Sequence, residues 1–366
     1  MNGVARFDRQ GGSSIERERL PQNWKEVLAR FGQALSEEGS AGLASVYDSV
    51  AQGPMRFRAA LRAIEWVFPL KRVVSMGAEF DARIARDGLC EASRWLLADS
   101  GVPWKAEFPE SGRDLLEAGP LVIYGNHPSL ATPFILAAVL EHPRLGYISS
   151  AYVSKLLPAM VPHLFAVELI RHQQVRNRPG SGAAHLMAHM LLADIYERPS
   201  RDVARAANRE VISNAAKHVT QGGALVIYPA GGGKDRLWYP GIGRLCSDLL
   251  EQAEHTLYLV PVRVDHNSHA RVYCTLSDKR YARRKTRRFN RRPVMLRLAR
   301  PLPFRELEQL RGASSQEIAA VLQQHYNTLF AVRGKRQTEK AIDEVIRRLR
   351  EHHRLRLPLF QPGSGG

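Results

Sequence analysis

The residues best suited to chemistry lie in a short polar stretch, Asn126-His127-Pro128-Ser129. The apolar residues before it, Leu121 to Tyr124, predict a short and fully buried strand. Thr132-Pro133 is typical of a helix start and predicts a helix over Phe134 to Leu140. His127 is thus expected in the turn at the carboxyl end of a buried strand, where open α/β sheets bind ligands. A histidine there suits general-base chemistry, and it equally suits an ordinary polar turn.

A second strand-and-turn unit begins at Leu225 and ends in the glycine-rich stretch Pro229 to Lys234. Leu225 to Tyr228 again predict a buried strand that opens into a loop. The stretch lacks the leading glycine spacing and the serine or threonine after lysine that a phosphate-binding P-loop requires. Because ligands bind beyond the carboxyl ends of such strands, the sequence favours one cleft shared by these two strand ends, which carry His127 and Gly231.

Four stretches, in this order, resemble motifs of the glycerolipid (lysophospholipid) acyltransferase family. They are Asn126-His127-Pro128-Ser129 with Pro133-Phe134, then Leu169-Ile170-Arg171, then Tyr228-Pro229-Ala230-Gly231, and last Val260-Pro261-Val262. The resemblance extends over residues 100 to 332. Two acidic positions of the family are changed, because Thr132 stands at its aspartate and Ala230 at its glutamate.

The resemblance implies an α/β fold with a mostly parallel sheet flanked by helices, like that of the glycerolipid acyltransferases. It also implies that His127 is the catalytic base, with Thr132 as a weak stand-in for the orienting acid. Glu168 and Asp235 are the acids that would substitute for that group in space. The residues expected to bind substrate are Asn126, Ser129, Arg171, Tyr228, Gly231, Lys234 and Arg236.

The expected function is therefore acyl transfer in lipid metabolism, in the manner of phospholipid biosynthesis. The donor would be an acyl thioester of coenzyme A or acyl carrier protein, and the acceptor a lysophospholipid, a glycerol phosphate or a lipid-like hydroxyl. No cofactor and no metal are expected beyond these substrates. An alternative is a catalytically weak or inactive family member that binds anionic lipid or acyl carrier. A third interpretation, a nucleic-acid-binding protein, depends on the basic tract over residues 279–292, although no nucleic-acid-binding signature accompanies that tract.

Composition points to an anionic partner. The 366 residues are 44% hydrophobic and 24% charged, which is ordinary for a globular protein, but the net charge is +17. Such a basic chain is suited to an anionic membrane surface. Cys90, Cys246 and Cys274 show no metal-ligand spacing and suggest a reducing compartment. With no apolar run long enough to span a bilayer, the expected location is cytoplasmic, peripheral on the inner face of the membrane.

Four regions are expected along the chain. Residues 1–22 are polar and predicted to be disordered, and residues 23–99 form a helical segment. The acyltransferase-like α/β domain is expected over residues 100–334. A charged helix and a flexible tail are expected over residues 335–366, so the domain is followed by a C-terminal helix.

Finer predictions concern single elements. An edge strand is expected within residues 102–108, and Pro261 inside the strand over residues 257–264 indicates an edge or a bulge. The apolar stretch over residues 61–70, flanked by arginines, is interpreted either as a core-facing helix or as a helix lying on an anionic bilayer. Helices are also predicted over residues 183–195, 202–218, 315–332 and 337–355, and paired strands over residues 272–276 and 293–298.

Overall fold

The computed structural model describes residues 23–67, 70–100, 103–110, 113–128, 132–168, 199–231, 238–252, 257–265, 293–331 and 347. Several predictions lie outside these residues: the disordered start, the strand over 272–276, the basic tract over 279–292, the helix over 183–195 and, apart from residue 347, the helix over 337–355.

An eight-stranded mixed sheet forms the centre of the fold. Its strands are β1 (Trp104–Glu107), β2 (Leu121–Gly125), β3 (Leu145–Ser150), β4 (Leu164–Val167), β5 (Ala224–Ile227), β6 (Tyr258–Asp265), β7 (Val294–Leu298) and β8 (Leu302–Pro303). The order is β1-β7-β6-β2-β5-β3-β4, with β8 paired to β6. The five strands from β6 to β4 are parallel, whereas β7 and β8 run antiparallel to β6.

Helices cover both faces of this sheet. They are α1 (Trp24–Gln52), α2 (Met55–Val67), α3 (Leu70–Asp87), α4 (Leu89–Asp99), α5 (Arg113–Ala118), α6 (Thr132–Leu140), α7 (Tyr152–Leu156), α8 (Arg201–Thr220), α9 (Gly241–Gln252) and α10 (Ser315–Ala331). Two short 3₁₀ helices span Pro158–His163 and Phe304–Leu310. The predicted α/β architecture with a mostly parallel sheet and flanking helices is thus confirmed.

The period of two along β2 assigns its side chains to two separate cores. Leu121 and Ile123 pack on one face in a cluster that includes residues of α3, α4 and α6. Val122 and Tyr124 pack on the other face with residues of α8, α9 and α10. Every residue of β2 is buried, as expected for the central strand of a parallel sheet covered on both sides. The two faces are called the α6 face and the α10 face below.

Two of the N-terminal helices, α3 and α4, pack against the sheet. Phe80 of α3 and Leu97 of α4 belong to the hydrophobic cluster on the α6 face, while α1 and α2 bury a cluster of their own around Phe57. Leu61 is 4% exposed, so the interpretation of this stretch as a core-facing helix is confirmed at that residue. None of the helices in the described ranges combines the length and the apolarity needed to span a membrane.

The edge position predicted for the strand containing Pro261 is wrong, because β6 lies between β2 and β7. Pro261 aligns with Tyr124 of β2. On its other side β7 ends opposite Val262, and β8 begins opposite Leu259. The proline therefore lies at the junction between two partner strands, where a missing N–H breaks no ladder bond. By contrast β1 is an edge strand, as predicted.

Candidate active site

A crevice is expected where the connections of a parallel sheet diverge to opposite faces, and this occurs between β2 and β5. These strands are adjacent and parallel, with Tyr124 aligned to Ile227. The helix after β2 is α6, which packs on the α6 face, whereas α9, the helix after β5, packs on the opposite face. Ligands of open α/β sheets bind outside the carboxyl ends of strands at such a switch point. His127 and Gly231 follow these two strands, as the sequence predicted.

His127 and Tyr228 meet at this switch point. Their rings are stacked, with centroids 4.6 Å apart and planes 21° from parallel. Both residues follow the alternation of their strands onto the α6 face, and both are half-buried. An aromatic ring against an imidazole restricts the rotation of the histidine, so the stack holds the His127 ring in one orientation.

Burial raises the pKa of the Tyr228 hydroxyl well above its usual value, and the nearby Tyr147 adds to the shift. The hydroxyl is therefore protonated throughout the neutral range and is available as a hydrogen-bond donor. Its oxygen is buried and has no hydrogen-bond partner among the residues that the structure describes. After Tyr228 the chain turns through Gly231, whose φ of 60° is the left-handed conformation that glycine adopts without strain.

Asn126 anchors the loop that carries His127. Its side-chain Nδ2 donates to the Val264 carbonyl at 2.9 Å, and its Oδ1 accepts from the Val264 N–H at 2.8 Å. The amide thus continues the pairing with β6 after the backbone of β2 has ended. Gly125, just before it, has no room for a side chain, because a Cβ there would overlap the Val262 carbonyl. The functional groups of Asn126 are therefore engaged with the backbone of β6.

Thr132 is the first residue of α6 and is completely buried. The start of this helix is also tied to β3, because the Tyr147 hydroxyl donates to the Pro133 carbonyl at 3.0 Å. Ala230, at the family's glutamate position, is 6% exposed. A neutral and buried side chain consequently stands at each of the two positions that are acidic in the family.

Among the described residues, two carboxylates follow strands at the same end of the sheet as His127. Glu168 follows β4, which lies three strands from β2, roughly 14 Å at ordinary strand spacing. Asp265 ends β6 and alternates onto the α10 face, opposite to His127. Its carboxylate pairs with Arg263 at 2.8 Å and Arg297 at 2.6 Å. Burial favours a higher pKa for Asp265, but the two arginines outweigh it and lower the pKa.

The remaining predicted site residues lie outside the described residues. These are Ser129, Arg171, Lys234 and Arg236, together with Asp235. Within the described ranges, no group of three histidine, cysteine or carboxylate side chains has the proximity that a metal site needs. Two tyrosines near the switch point were not predicted: Tyr147, which donates to the Pro133 carbonyl in the first turn of α6, and Tyr326, which donates to Asn126 from 200 residues away. A tyrosine inside a predicted strand or helix carries no local signal of such a role.

Comparison with models of known protein families gave no match for this chain. A search among curated proteins gave no match either. The function of this chain is therefore inferred from the arrangement of His127, Tyr228 and Asn126 at the switch point.

Proposed function

We propose that the protein is an acyltransferase of the glycerolipid type, moving an acyl group from a thioester to the hydroxyl of a lipid-like acceptor. The observation that carries the proposal is the position of His127 at the carboxyl end of β2, stacked on Tyr228 at the end of β5. Open α/β sheets bind ligands at such a switch point, beyond the carboxyl ends of the strands. The resemblance of the four motifs adds the reaction type.

In this reaction the imidazole of His127 removes the proton of the acceptor hydroxyl as its oxygen attacks the thioester carbonyl. A tetrahedral intermediate forms, and its oxyanion needs backbone N–H donors, which the first turn of α6 supplies. The carbon–sulfur bond then breaks, and the imidazolium of His127 gives its proton to the thiolate that leaves. An ester and a free thiol result, with no change of oxidation state. Arg171, Lys234 and Arg236 are proposed to bind the phosphates of acceptor or donor.

The replacement of the family's aspartate by Thr132 sets the expected rate. In a serine protease triad, loss of the correctly acting carboxylate behind the histidine lowers the rate about 10⁴-fold. At the position that the resemblance aligns with this aspartate, Thr132 offers only a neutral hydroxyl. We therefore expect slow turnover in the wild type, with Tyr228 and the anchored Asn126 holding the ring in place of the acid.

The test is free-thiol release from long-chain acyl-CoA with lysophospholipid, glycerol phosphate and glycolipid acceptors. We expect acceptor-dependent thiol release by the wild type and its loss in His127→Ala. The control is His163→Asn, because that amide preserves the hydrogen bond from the His163 ring to the Leu145 carbonyl. Thr132→Asp should raise the rate by restoring an acid behind the base. Equal turnover by wild type and His127→Ala would exclude the assignment of His127.

A second candidate function is binding of anionic lipid or acyl carrier without catalysis. The observation that favours it is the burial of Thr132 and Ala230, two neutral residues, at both acidic positions of the family. Sedimentation with anionic liposomes that is released by salt, together with no thiol release from any donor and no gain in Thr132→Asp, would favour this second candidate over the enzyme.

A further inference from the structure

We propose that α10 braces the chain at Asn126, after β2, and at Trp238, which follows β5, and that Tyr326 is a positioning residue for His127. The proposal rests on the proposed function only for its consequence in catalysis, because the brace itself is a set of contacts. Tyr326 lies 200 residues from Asn126 in the sequence, and its hydroxyl is within 3.2 Å of Asn126 Oδ1 and within 3.1 Å of the Val262 carbonyl.

The first loop is held through the Asn126 amide. Asn126 satisfies both backbone groups of Val264, and the Tyr326 hydroxyl donates to the same side-chain oxygen that accepts from Val264. The N–H and C=O of Val264 fix which end of the amide carries oxygen. The single proton of the Tyr326 hydroxyl lies between two acceptors, Asn126 Oδ1 and the Val262 carbonyl, so the hydroxyl adds a second tie between Asn126 and β6. All of these bonds are buried. The tyrosine thus fixes the position of the residue directly before His127.

A second contact of α10 is with Trp238, which follows β5 in the chain. The Trp238 backbone N–H donates to Oε1 of Gln323, on the turn of α10 before Tyr326, at 3.3 Å. The rings of Trp238 and Tyr326 pack with centroids 5.3 Å apart, and Trp238 is 3% exposed. One face of α10 therefore contacts the loop after β2 and the chain after β5.

The brace acts on the face of the sheet away from the stacked pair. Asn126 alternates onto the α10 face, whereas His127 and Tyr228 alternate onto the α6 face. Tyr326 therefore does not contact the His127 ring through this network. It sets the backbone from which His127 projects, and thereby the overlap of the imidazole with Tyr228.

The experiment uses Tyr326→Phe in the full chain, which keeps the ring packing and removes only the hydroxyl. The matched control is Tyr47→Phe, because Tyr47 also donates a part-buried hydrogen bond, to Glu65 at 2.9 Å, among the N-terminal helices. Three quantities are measured: the NMR signal of the His127 ring across pH, hydrogen exchange of the Val264 amide, and thiol release from acyl-CoA. Histidine-selective labelling with His127→Ala as reference assigns the signal.

For Tyr326→Phe we expect a shifted His127 signal and faster Val264 exchange. With an active wild type we also expect kcat to fall roughly tenfold at constant KM for the thioester, the scale of one lost hydrogen bond. Tyr47→Phe should change none of the three. An unchanged His127 signal and unchanged exchange in Tyr326→Phe would overturn the brace. If the wild type releases no thiol, the proposed function fails, and the signal and the exchange still decide the brace.

Discussion

Histidines lie at both ends of the sheet and make different contacts there. At the amino end, His142, His163 and His218 each direct a ring N–H to a main-chain carbonyl, at 3.1, 3.0 and 2.9 Å. These bonds join the loops that enter the strands. At the carboxyl end, the ring of His127 lies flat against the ring of Tyr228.

The two ends of the sheet differ in which side chains hold the backbone of the loops. At the amino end the histidines themselves hold the backbone, and His142 also accepts the Arg144 N–H at 3.2 Å. At the carboxyl end Asn126 holds the backbone by its two bonds to Val264. Under the proposed function, anchoring and chemistry are thus divided between two consecutive residues, Asn126 and His127, whose side chains lie on opposite faces.

The largest expected effect sharpens this division. Asn126→Ala leaves the buried N–H and C=O of Val264 unpaired, so the free energy of unfolding should fall by about 2–4 kcal/mol. The control is Asn208→Ala, because Asn208 makes the same two-point bond to the backbone of Glu168, but at a part-buried site. Water replaces the lost amide there, and we expect a smaller loss. Chemical denaturation measures both, and equal losses would contradict a buried anchor at Asn126.

A smaller effect concerns the stack. Tyr228→Leu removes the flat surface that holds the His127 ring, and we expect thiol release to fall roughly tenfold, the scale of one aromatic pair. Tyr228→Phe keeps the ring and separates stacking from the buried hydroxyl. Wild-type rates in both variants would show that the stack holds nothing relevant to catalysis. A loss in Tyr228→Phe as large as in Tyr228→Leu would assign the role to the hydroxyl.

The smallest expected effect is a pH dependence of stability from the amino end. Burial is the main cause that lowers the pKa of both His142 and His218, and the nearby Arg144 lowers both further. Below a pH of about 6.5, the usual histidine pKa, the unfolded chain binds protons that the folded chain does not. Stability should therefore be full above that pH and decline as pH falls toward the lowered values.

Variants of the two histidines measure their contribution to the pH dependence of stability. His142→Gln with His218→Gln should flatten the decline in unfolding free energy measured between pH 7 and pH 5. A slope unchanged in the double variant would contradict the assignment of this pH dependence to the amino-end pair.

Local patterns in the sequence predicted much of this fold. The buried strand before His127, the helix that begins at Thr132, and the strand before Pro229 all follow from apolar runs and turn residues. What a local pattern cannot contain is a contact such as that of Asn126 with Val264, 138 residues away.

Two predictions from the sequence differ from the structure, and each difference has a physical reason. Asn126 was expected to bind substrate, and its side chain instead contacts β6 and α10, which only the folded chain brings together. Pro261 suggested an edge strand, but the change of partner from β7 to β8 accommodates proline inside the sheet. Periodicity shows which face a residue occupies and does not show which distant strand meets that face.

The most direct test of the division between the two ends is one pair of variants with two measurements. His127→Ala should lower thiol release by 10² or more, the usual contribution of a general base, and unfolding free energy by at most about 1 kcal/mol. His142→Ala should do the opposite, losing about 1–2 kcal/mol with two hydrogen bonds and retaining turnover. Unchanged turnover in His127→Ala, or lost turnover in a folded His142→Ala, would contradict the account.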